Sequence, residues 1–528
     1  MAETFNSIVK RITNEYINSV LFVDEKAFSF SSDSSATVDK QKGLDAAEVS
    51  HAFSNAGKIC AFFSPKTLED IEKCKQLVLK SDIVVLDWDI QIDRPFSKDE
   101  EGQDDETDDR GYYSIELIKT IAADAKEDKL KVIFVYTGEP GLNGIVSIIA
   151  ESLGREFKVD EDKFDVSSGN IHILVRLKPD SKVDHLGYNA FKVSYQDLPG
   201  VVIDTFSEYV NGLMPCFAMK SLTEIRNSTA KILQVYSSEL DAELLGHQMS
   251  LPDPNDVRNY LANSFGTAIT ELILGSKDIN TDLWVKDWVD SNIGTDRHLT
   301  IAGQRIVASA DSIKSYFDNR YDFDNARKRF NSSFSVNCSA KREKELISSL
   351  SQVFKDDNVD AKKAMFMFAA LSHNKNLFST SSSVPILTLG SIISKLDTGD
   401  YYLCIQQRCD TARVPIGGQR FVFLPLYKDK QSNQFGALSI EPGKVLYLRK
   451  SSTNAISFLF KPEDDHKPVR AIVEDGKYHF ISPDGVFEWK NELKEIIAQR
   501  IVSAFTSHFA RIGVDEAEWL RIEGSSSD

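Results

Sequence analysis

The chain of 528 residues lacks the features that mark secreted, membrane-spanning or zinc-bound proteins. Its six cysteines are scattered, and only Cys404 and Cys409 lie close together, with no second pair to complete a four-ligand zinc site. No apolar run reaches the ~20 residues that a transmembrane helix needs, and the first residues contain no signal-peptide core. These absences predict a cytoplasmic protein with reduced thiols.

Basic residues are also in deficit. Lysine and arginine number 62 against 79 aspartates and glutamates, which gives a formal net charge of −17. This balance argues against a broad surface for nucleic acid or for an anionic membrane, and there is no basic recognition helix. A P-loop, a Rossmann glycine pattern and an HExxH metal motif are missing too. We therefore expect neither a nucleic-acid partner nor a membrane partner, and no enzyme of these classes.

What the sequence does contain is a set of apolar strands that each end on polar residues. SVLFVDE ends at Asp24 and Glu25, SDIVVLDWD contains Asp87, KVIFVYTG contains Thr137, and IHILVRLKP contains Lys178. Helical patterns separate these runs, which indicates a parallel sheet crossed by helices. Because the carboxyl ends of parallel strands meet at one edge, the sequence places these side chains around a single crevice.

Residues of these types suit phosphate chemistry. Asp24, Glu25 and Asp87 offer the hard oxygen ligands that Mg²⁺ prefers, and three close carboxylates resist joint ionisation without a cation. Lys178 supplies a compact positive charge and Thr137 a hydroxyl donor for phosphoryl oxygens. Asp87, on the central strand, is then a candidate nucleophile that forms an aspartyl-phosphate.

With these residues in this order, residues 1–215 resemble a response-regulator receiver domain. The resemblance implies a flavodoxin-like α/β fold with a five-stranded parallel sheet in the order 2-1-3-4-5. It implies that Asp87 is the phosphoacceptor and that Thr137 and Lys178 complete the catalytic set. Mg²⁺ would be bound by Asp24, Glu25, Asp87 and the backbone carbonyl of Asp89. A sensor histidine kinase is the implied phosphodonor, and Pro179 supplies the family's Lys-Pro step, which is often cis.

Three positions depart from the family pattern. Glu25 stands where an aspartate is common, and Val175 occupies the position that often carries an aromatic switch residue. A long acidic insertion at 92–110 replaces a short turn after Asp87. Its residues 93–109 contain nine acids against Arg94 and Lys98, a local charge of −7. Such a charge block is typical of a solvated segment beside the phosphorylation site.

The rest of the chain changes character twice. Residues 216–376 are predicted to be an all-α region and residues 377–528 a mainly antiparallel β domain with a C-terminal helix. The apolar stripes of the long helices have two interpretations. They could form the core of a self-contained helical domain, or they could form the interface of a homodimer.

The whole chain resembles the large receiver proteins without DNA-binding domains that occur beside bacterial sensor kinases, including antiphage two-component-like systems of the Detocs kind. The resemblance implies a phosphoacceptor that serves as a phosphate sink or acts on a downstream effector, with at most autophosphatase activity. The alternative is a pseudo-receiver scaffold that binds a kinase or an effector without being phosphorylated.

Overall fold

The computed structural model describes residues 4–27, 44–92, 110–125, 130–183, 185–251, 256–277, 279, 281–320, 322, 324–355, 361–375, 384–429, 434–441, 444–449 and 455–509. The described chain divides into two compact units, Met1–Val353 and Phe354–Asp528. Most of the acidic insertion lies outside the described residues. Among the described helices, none is long and apolar enough to cross a membrane.

The first unit is built on a seven-stranded sheet. In chain order its strands are β1 (Ser19–Val23), β2 (Ile59–Phe63), β3 (Ile83–Leu86), β4 (Lys131–Thr137), β5 (Lys158–Asp160), β6 (Asp165–Ser168) and β7 (Ile171–Leu177). Their spatial order is β2-β1-β3-β4-β7-β6-β5. The first five strands in this order are parallel, as the βα pattern predicts.

Helices cover both faces of this sheet. They are α1 (Phe5–Tyr16), α2 (Ala46–Asn55), α3 (Leu68–Lys80), α4 (Tyr112–Ala125), α5 (Leu142–Leu153) and α6 (Leu198–Tyr209). Side chains of β4 alternate between two cores: Ile133 and Val135 pack with α3, α4 and α5, whereas Val132 and Phe134 pack with α1, α2 and α6. Burial on both faces explains why these strands are continuous apolar runs.

The prediction of a five-stranded parallel sheet is wrong at one edge, where a hairpin adds two further strands. Strands β5 and β6 pair antiparallel with each other, and β6 pairs antiparallel with β7, so the sheet is mixed. The turn between β5 and β6 forms because Asp160 Oδ1 accepts the backbone N–H groups of Asp162 and Lys163, at 3.2 Å each. All three residues of β5 are exposed, so this edge strand has no apolar signature in the sequence.

The remainder of the first unit is largely helical. It contains α7 (Leu213–Asn227), α8 (Thr229–Val235), α9 (Asp241–Ser250), α10 (Val257–Gly275), α11 (Thr281–Asn292), β8 (Arg297–Ile301), β9 (Gln304–Ala308), α12 (Ala310–Asp318), α13 (Ala326–Ser333) and α14 (Glu343–Ser349). The prediction of an all-α region is therefore wrong at β8 and β9, which form an antiparallel hairpin. Ala302 and Gly303, both at positive φ, make its two-residue turn.

The second unit contains a nine-stranded antiparallel sheet, which agrees with the strand patterns of the C-terminal region. Its elements are α15 (Ala361–His373), β10 (Ser391–Lys395), β11 (Tyr401–Cys404), α16 (Arg408–Thr411), β12 (Gln419–Tyr427), β13 (Gln434–Glu441), β14 (Lys444–Arg449), β15 (Ile456–Phe460), β16 (Ile472–Glu474), β17 (Lys477–Ser482), β18 (Gly485–Glu492) and α17 (Glu495–Phe509). Two apolar clusters pack on opposite faces of the sheet, and α17 covers one of them.

Candidate functional site

The carboxyl ends of the central parallel strands carry the predicted polar residues into one place. The backbone N–H of Asp87, just after β3, donates to the carbonyl of Val23 at the end of β1, at 2.9 Å. The N–H of Lys178, just after β7, donates to the carbonyl of Thr137 at the end of β4, at 2.8 Å. The strand ends are therefore held in register by the same ladder that forms the sheet.

Three carboxylates lie together at this edge. One oxygen each of Asp24, Glu25 and Asp87 falls within 4.8 Å of the other two, and among the described residues these three form the group able to hold a metal ion. Their exposures are 2%, 6% and 8%, so water screens their mutual repulsion poorly. A cation must balance this cluster.

Lys178 supplies one such cation from within the fold. Its Nζ lies 2.7 Å from Asp24 Oδ2 and 3.1 Å from Asp87 Oδ1, and the side chain is itself buried. Burial opposes ionisation of the lysine, but the Asp87 and Asp24 carboxylates outweigh it and raise the pKa of the Lys178 ammonium. Lys178 is therefore a fixed positive charge between two of the three acids.

One lysine does not neutralise three acids, and the pKa values of the carboxyls reflect this. Burial, with further contributions from Asp24 and Glu25, raises the pKa of Asp87 to about 7 despite the lowering effect of Lys178. Burial and the charge of Asp24 likewise raise the pKa of Glu25. Near neutral pH, Lys178 therefore does not neutralise the negative charge of the three carboxylates, and a further cation would stabilise the cluster.

Glu25 shows where a second cation would be accommodated. Both of its carboxylate oxygens are buried, and neither accepts a well-formed hydrogen bond from the described residues, although Lys26 Nζ forms an ion pair with Oε1 at 3.1 Å. Buried carboxylate oxygens without hydrogen bonds are costly unless a metal or charge satisfies them. The donor set, hard oxygens only, fits Mg²⁺.

Thr137 and Asp89 occupy different settings. Thr137 is 1% exposed, and its Oγ1 accepts the backbone N–H of Glu139 at 3.0 Å, so its hydroxyl hydrogen is not used by this bond. Asp89 is half-buried, and its Oδ2 accepts from the Gln91 side chain at 2.9 Å. The predicted role of Asp89 rests on its backbone carbonyl and stays a prediction.

Two residues that the sequence interpretation missed shape the segment after Asp87. Ser114, fully buried in α4, donates to the carbonyls of Asp87 at 2.5 Å and Trp88 at 3.0 Å. Gly111 has φ +82°, and a Cβ there would lie 2.2 Å from the Trp88 ring. A glycine after a charged insertion is the one sequence signal that could have indicated this close approach.

The structure also describes Val175, which departs from the family pattern, and the Lys178–Pro179 step, which follows it. Val175 lies in the interior of β7, in register with Val135, and is completely buried in the core. The Lys178–Pro179 bond is trans, because the described part of the chain contains no cis peptide bond. The cis form suggested by the Lys-Pro step is therefore not the one found.

Comparison with protein-family models gives a match to part of the chain. A family model described as the response receiver domain matches residues 16–183, less than half of the chain. That segment includes all six residues predicted for the site, from Asp24 to Lys178. Neither the curated proteins nor the solved structures contain a match to this chain.

Proposed function

We propose that the receiver domain at residues 16–183 accepts a phosphoryl group on Asp87 from the phosphohistidine of a sensor histidine kinase. The observation that carries the proposal is a buried ion pair, in which Lys178 Nζ lies 3.1 Å from Asp87 Oδ1. The acidic pair Asp24 and Glu25 lies beside it. In the transfer, a carboxylate oxygen of Asp87 forms a bond to phosphorus as the P–N bond breaks. The electron pair of that bond remains with the imidazole nitrogen.

The residues of this pocket have distinct tasks in such a transfer. Asp87 must be ionised to attack, so its raised pKa makes a nearby cation a requirement. Lys178 would bind a phosphoryl oxygen, since its ammonium lies 3.1 Å from Asp87 Oδ1. The Thr137 hydroxyl, at the end of the neighbouring strand, provides a further donor.

Mg²⁺ is the cofactor that the acidic cluster fits best. The side chains of Asp24, Glu25 and Asp87 would hold it together with the backbone carbonyl of Asp89. When bound, the ion would offset the negative charge of the carboxylates and of the incoming phosphoryl oxygens. The buried Glu25 oxygens, which accept no well-formed hydrogen bond from the described residues, support this assignment.

For the biological output we propose a phosphate sink in a two-component-like antiphage system. Two features support a receiver that stores phosphate rather than one that drives transcription. The chain is acidic, with a net charge of −17, and Val175 replaces the aromatic residue that often couples phosphorylation to an output surface. A downstream effector that binds the phosphorylated form is the other output compatible with the site.

A non-phosphorylated scaffold is the second candidate, and one observation favours it. Lys26 pairs with Glu25 at 3.1 Å and adds a built-in cation to the cluster, as a degenerate receiver could use in place of a metal. Burial opposes its charge, but the carboxylates of Glu25, Asp87 and Asp89 together outweigh burial and raise the pKa of Lys26.

Beryllofluoride, a phosphoryl analogue, separates the two candidates. Trp88 directly follows Asp87 and is 4% exposed, so its fluorescence reports on the pocket. In a phosphoacceptor, beryllofluoride added to the Mg²⁺-bound protein should change the fluorescence and raise the thermal stability beyond the effect of Mg²⁺ alone, and Asp87→Asn should abolish this additional response. A scaffold should show no response in either protein, and Trp88→Phe identifies the origin of the signal.

A further inference from the structure

The proposed nucleophile and the residues proposed to bind the phosphoryl group all lie at strand ends. Asp87 directly follows β3, Thr137 is the last residue of β4, and Lys178 directly follows β7. At a strand end fewer hydrogen bonds of the sheet fix each peptide group, and a buried carbonyl there needs a donor from elsewhere. Two buried serine hydroxyls from outside the sheet donate to the carbonyls of Asp87 and Thr137.

Ser114 is the first of these serines. It is completely buried in the first turn of α4, and its hydroxyl lies 2.5 Å from the Asp87 carbonyl oxygen and 3.0 Å from that of Trp88. A helical serine commonly donates to a carbonyl one turn back in its own helix, as Ser207 of α6 does to Asp204 at 2.7 Å. Ser114 donates instead to residues 27 and 26 positions away. Helix α4 thereby holds the backbone of the proposed nucleophile itself.

Ser181 is the second serine, and it joins the two residues proposed to bind the phosphoryl group. Its hydroxyl donates to the Thr137 carbonyl at 3.2 Å, and its backbone N–H donates to the Lys178 carbonyl at 3.1 Å. Since the Lys178 N–H also donates to the Thr137 carbonyl, each of the three residues is hydrogen-bonded to the other two. Ser181 is 7% exposed, so solvent has little access to these bonds.

We propose that Ser114 and Ser181 are positioning residues for phosphoryl transfer, and that each acts on a different step. A fixed peptide plane restricts the direction of the attached side chain. Ser114 therefore sets how Asp87 presents its carboxylate to the metal and to phosphorus. Ser181 sets how the Thr137 hydroxyl and the Lys178 ammonium meet the phosphoryl oxygens. The inference rests on the proposed function, because it concerns the geometry of that same transfer.

Ser114→Ala tests the first assignment. Mg²⁺ affinity is measured by Trp88 fluorescence, and it should fall on the order of tenfold, because loss of a group that orients a metal ligand typically costs about 10–100-fold. At saturating Mg²⁺, the maximal rate at which acetyl phosphate labels Asp87 should fall by a similar factor. The acetyl phosphate concentration that gives half of this rate should stay close to the wild-type value.

Ser114→Cys separates the hydrogen bond from packing. Its thiol fills nearly the same space as the hydroxyl but is only a weak donor. Positioning by the hydrogen bond predicts that the cysteine variant resembles Ser114→Ala in Mg²⁺ affinity and in maximal rate. A role in packing alone predicts that cysteine restores both quantities, and that result would overturn the assignment.

Ser181→Ala should show the opposite pattern. Its Mg²⁺ affinity should equal that of the wild type, because Thr137 and Lys178 are not ligands of the proposed metal site. Beryllofluoride should bind the Mg²⁺-loaded variant on the order of tenfold more weakly, and half-maximal labelling should need correspondingly more acetyl phosphate. Ser207→Ala is the matched control for both serines, since Ser207 is 5% exposed and donates within its own helix. It should match the wild type in every measurement.

Circular dichroism of each variant checks that it is folded, and the pattern of losses decides the outcome. Alanine variants of Ser114 and Ser181 that both behave like Ser207→Ala would overturn the inference. Equal losses of Mg²⁺ affinity and of beryllofluoride affinity in the two variants would overturn it as well, because they would indicate general support of the fold. In both cases the wild type is still labelled at Asp87. A wild type that binds Mg²⁺ but is never labelled would instead overturn the proposed function, and this inference with it.

Discussion

The Lys178 ammonium lies 3.1 Å from Asp87 Oδ1, although the two residues follow strands that are separated by β4 in the sheet. Both side chains are buried, and Lys178 also contacts Asp24 at 2.7 Å. The sheet therefore builds a compact charge cluster from residues up to 154 positions apart. Its imbalance, three acids against one central lysine, leads to most of the predictions below.

The first prediction concerns stability without metal. Because the folded-state pKa of Asp87 is raised to about 7, the folded protein binds more protons than the unfolded chain between about pH 4 and 7. Ionisation of Asp87 therefore lowers the free energy of unfolding as the pH rises through this window, and the full decrease is reached above pH 7. With EDTA at pH 8, Asp87→Asn should be more stable than the wild type by on the order of 2 kcal/mol.

Denaturant unfolding at several pH values checks this. The difference between Asp87→Asn and the wild type should shrink below about pH 4, and saturating Mg²⁺ should reduce it at pH 8. Asp89→Asn, at the half-buried neighbour, serves as the control. A wild type that is more stable than Asp87→Asn at pH 8 without metal would show that Lys178 already balances the cluster.

Removal of Lys178 should have the opposite effect. Lys178→Met leaves Asp24 and Asp87 buried without their shared cation, and loss of one partner from a buried ion pair costs about 3–5 kcal/mol. Mg²⁺ should restore part of this loss, measurable as a larger Mg²⁺-dependent rise in Tm than in the wild type. Lys182→Met, at an exposed lysine four residues on, should leave both quantities unchanged.

Lys26 should compete with the metal for Glu25. Its ion pair of 3.1 Å is partly exposed, so its contribution is about 0.2–1 kcal/mol, and Lys26→Met should bind Mg²⁺ up to about fivefold more tightly. Trp88 fluorescence during Mg²⁺ titration measures the change. Lys66→Met is the control, because Lys66 contacts the carbonyl of Glu25 and not its carboxylate. Weaker Mg²⁺ binding by Lys26→Met would mean that Lys26 assists the metal.

Gly111 should tolerate no side chain. Gly111→Ala combines the cost of positive φ, about 1–2 kcal/mol, with a contact of 2.2 Å to the Trp88 ring, so unfolding free energy should fall by at least 2 kcal/mol. Gly144→Ala is the matched control: its site in α5 is open, and alanine favours a helix over glycine by about 0.5–1 kcal/mol. Equal stabilities for these two variants would show that Trp88 can move away.

The parts of this structure that were predictable from sequence are those in which burial leaves a pattern. The core strands are apolar on both faces, and each ends on a polar residue, so the convergence of Asp24, Asp87 and Lys178 followed from the order of parallel strands alone. The hairpin of β5 and β6 gave no such pattern, because β5 is fully exposed. The hydrogen bonds of Ser114 could not be predicted either, since a serine in an apolar helix does not reveal which carbonyls it contacts.

The hairpin of β8 and β9 was missed for a different reason. In β9, the buried residues Ile306 and Ala308 alternate with the exposed residues Arg305 and Val307. This strand leads directly into the helix that starts at Ala310. The strand therefore has no boundary in the sequence that separates it from the following helix, and the whole region resembles the predicted all-α segment. The positive φ of Ala302, a residue that seldom adopts it, made the turn hard to recognise.

Covalent labelling tests the central proposal most directly. The full chain is incubated with Mg²⁺ and a small phosphodonor such as acetyl phosphate or phosphoramidate, and the modified residue is located by mass spectrometry after reduction with borohydride. We predict one phosphoryl group per chain, on Asp87, that is lost in Asp87→Asn and retained in Asp89→Asn. Labelling that persists in Asp87→Asn, or none in a wild type shown to bind Mg²⁺, would contradict the account.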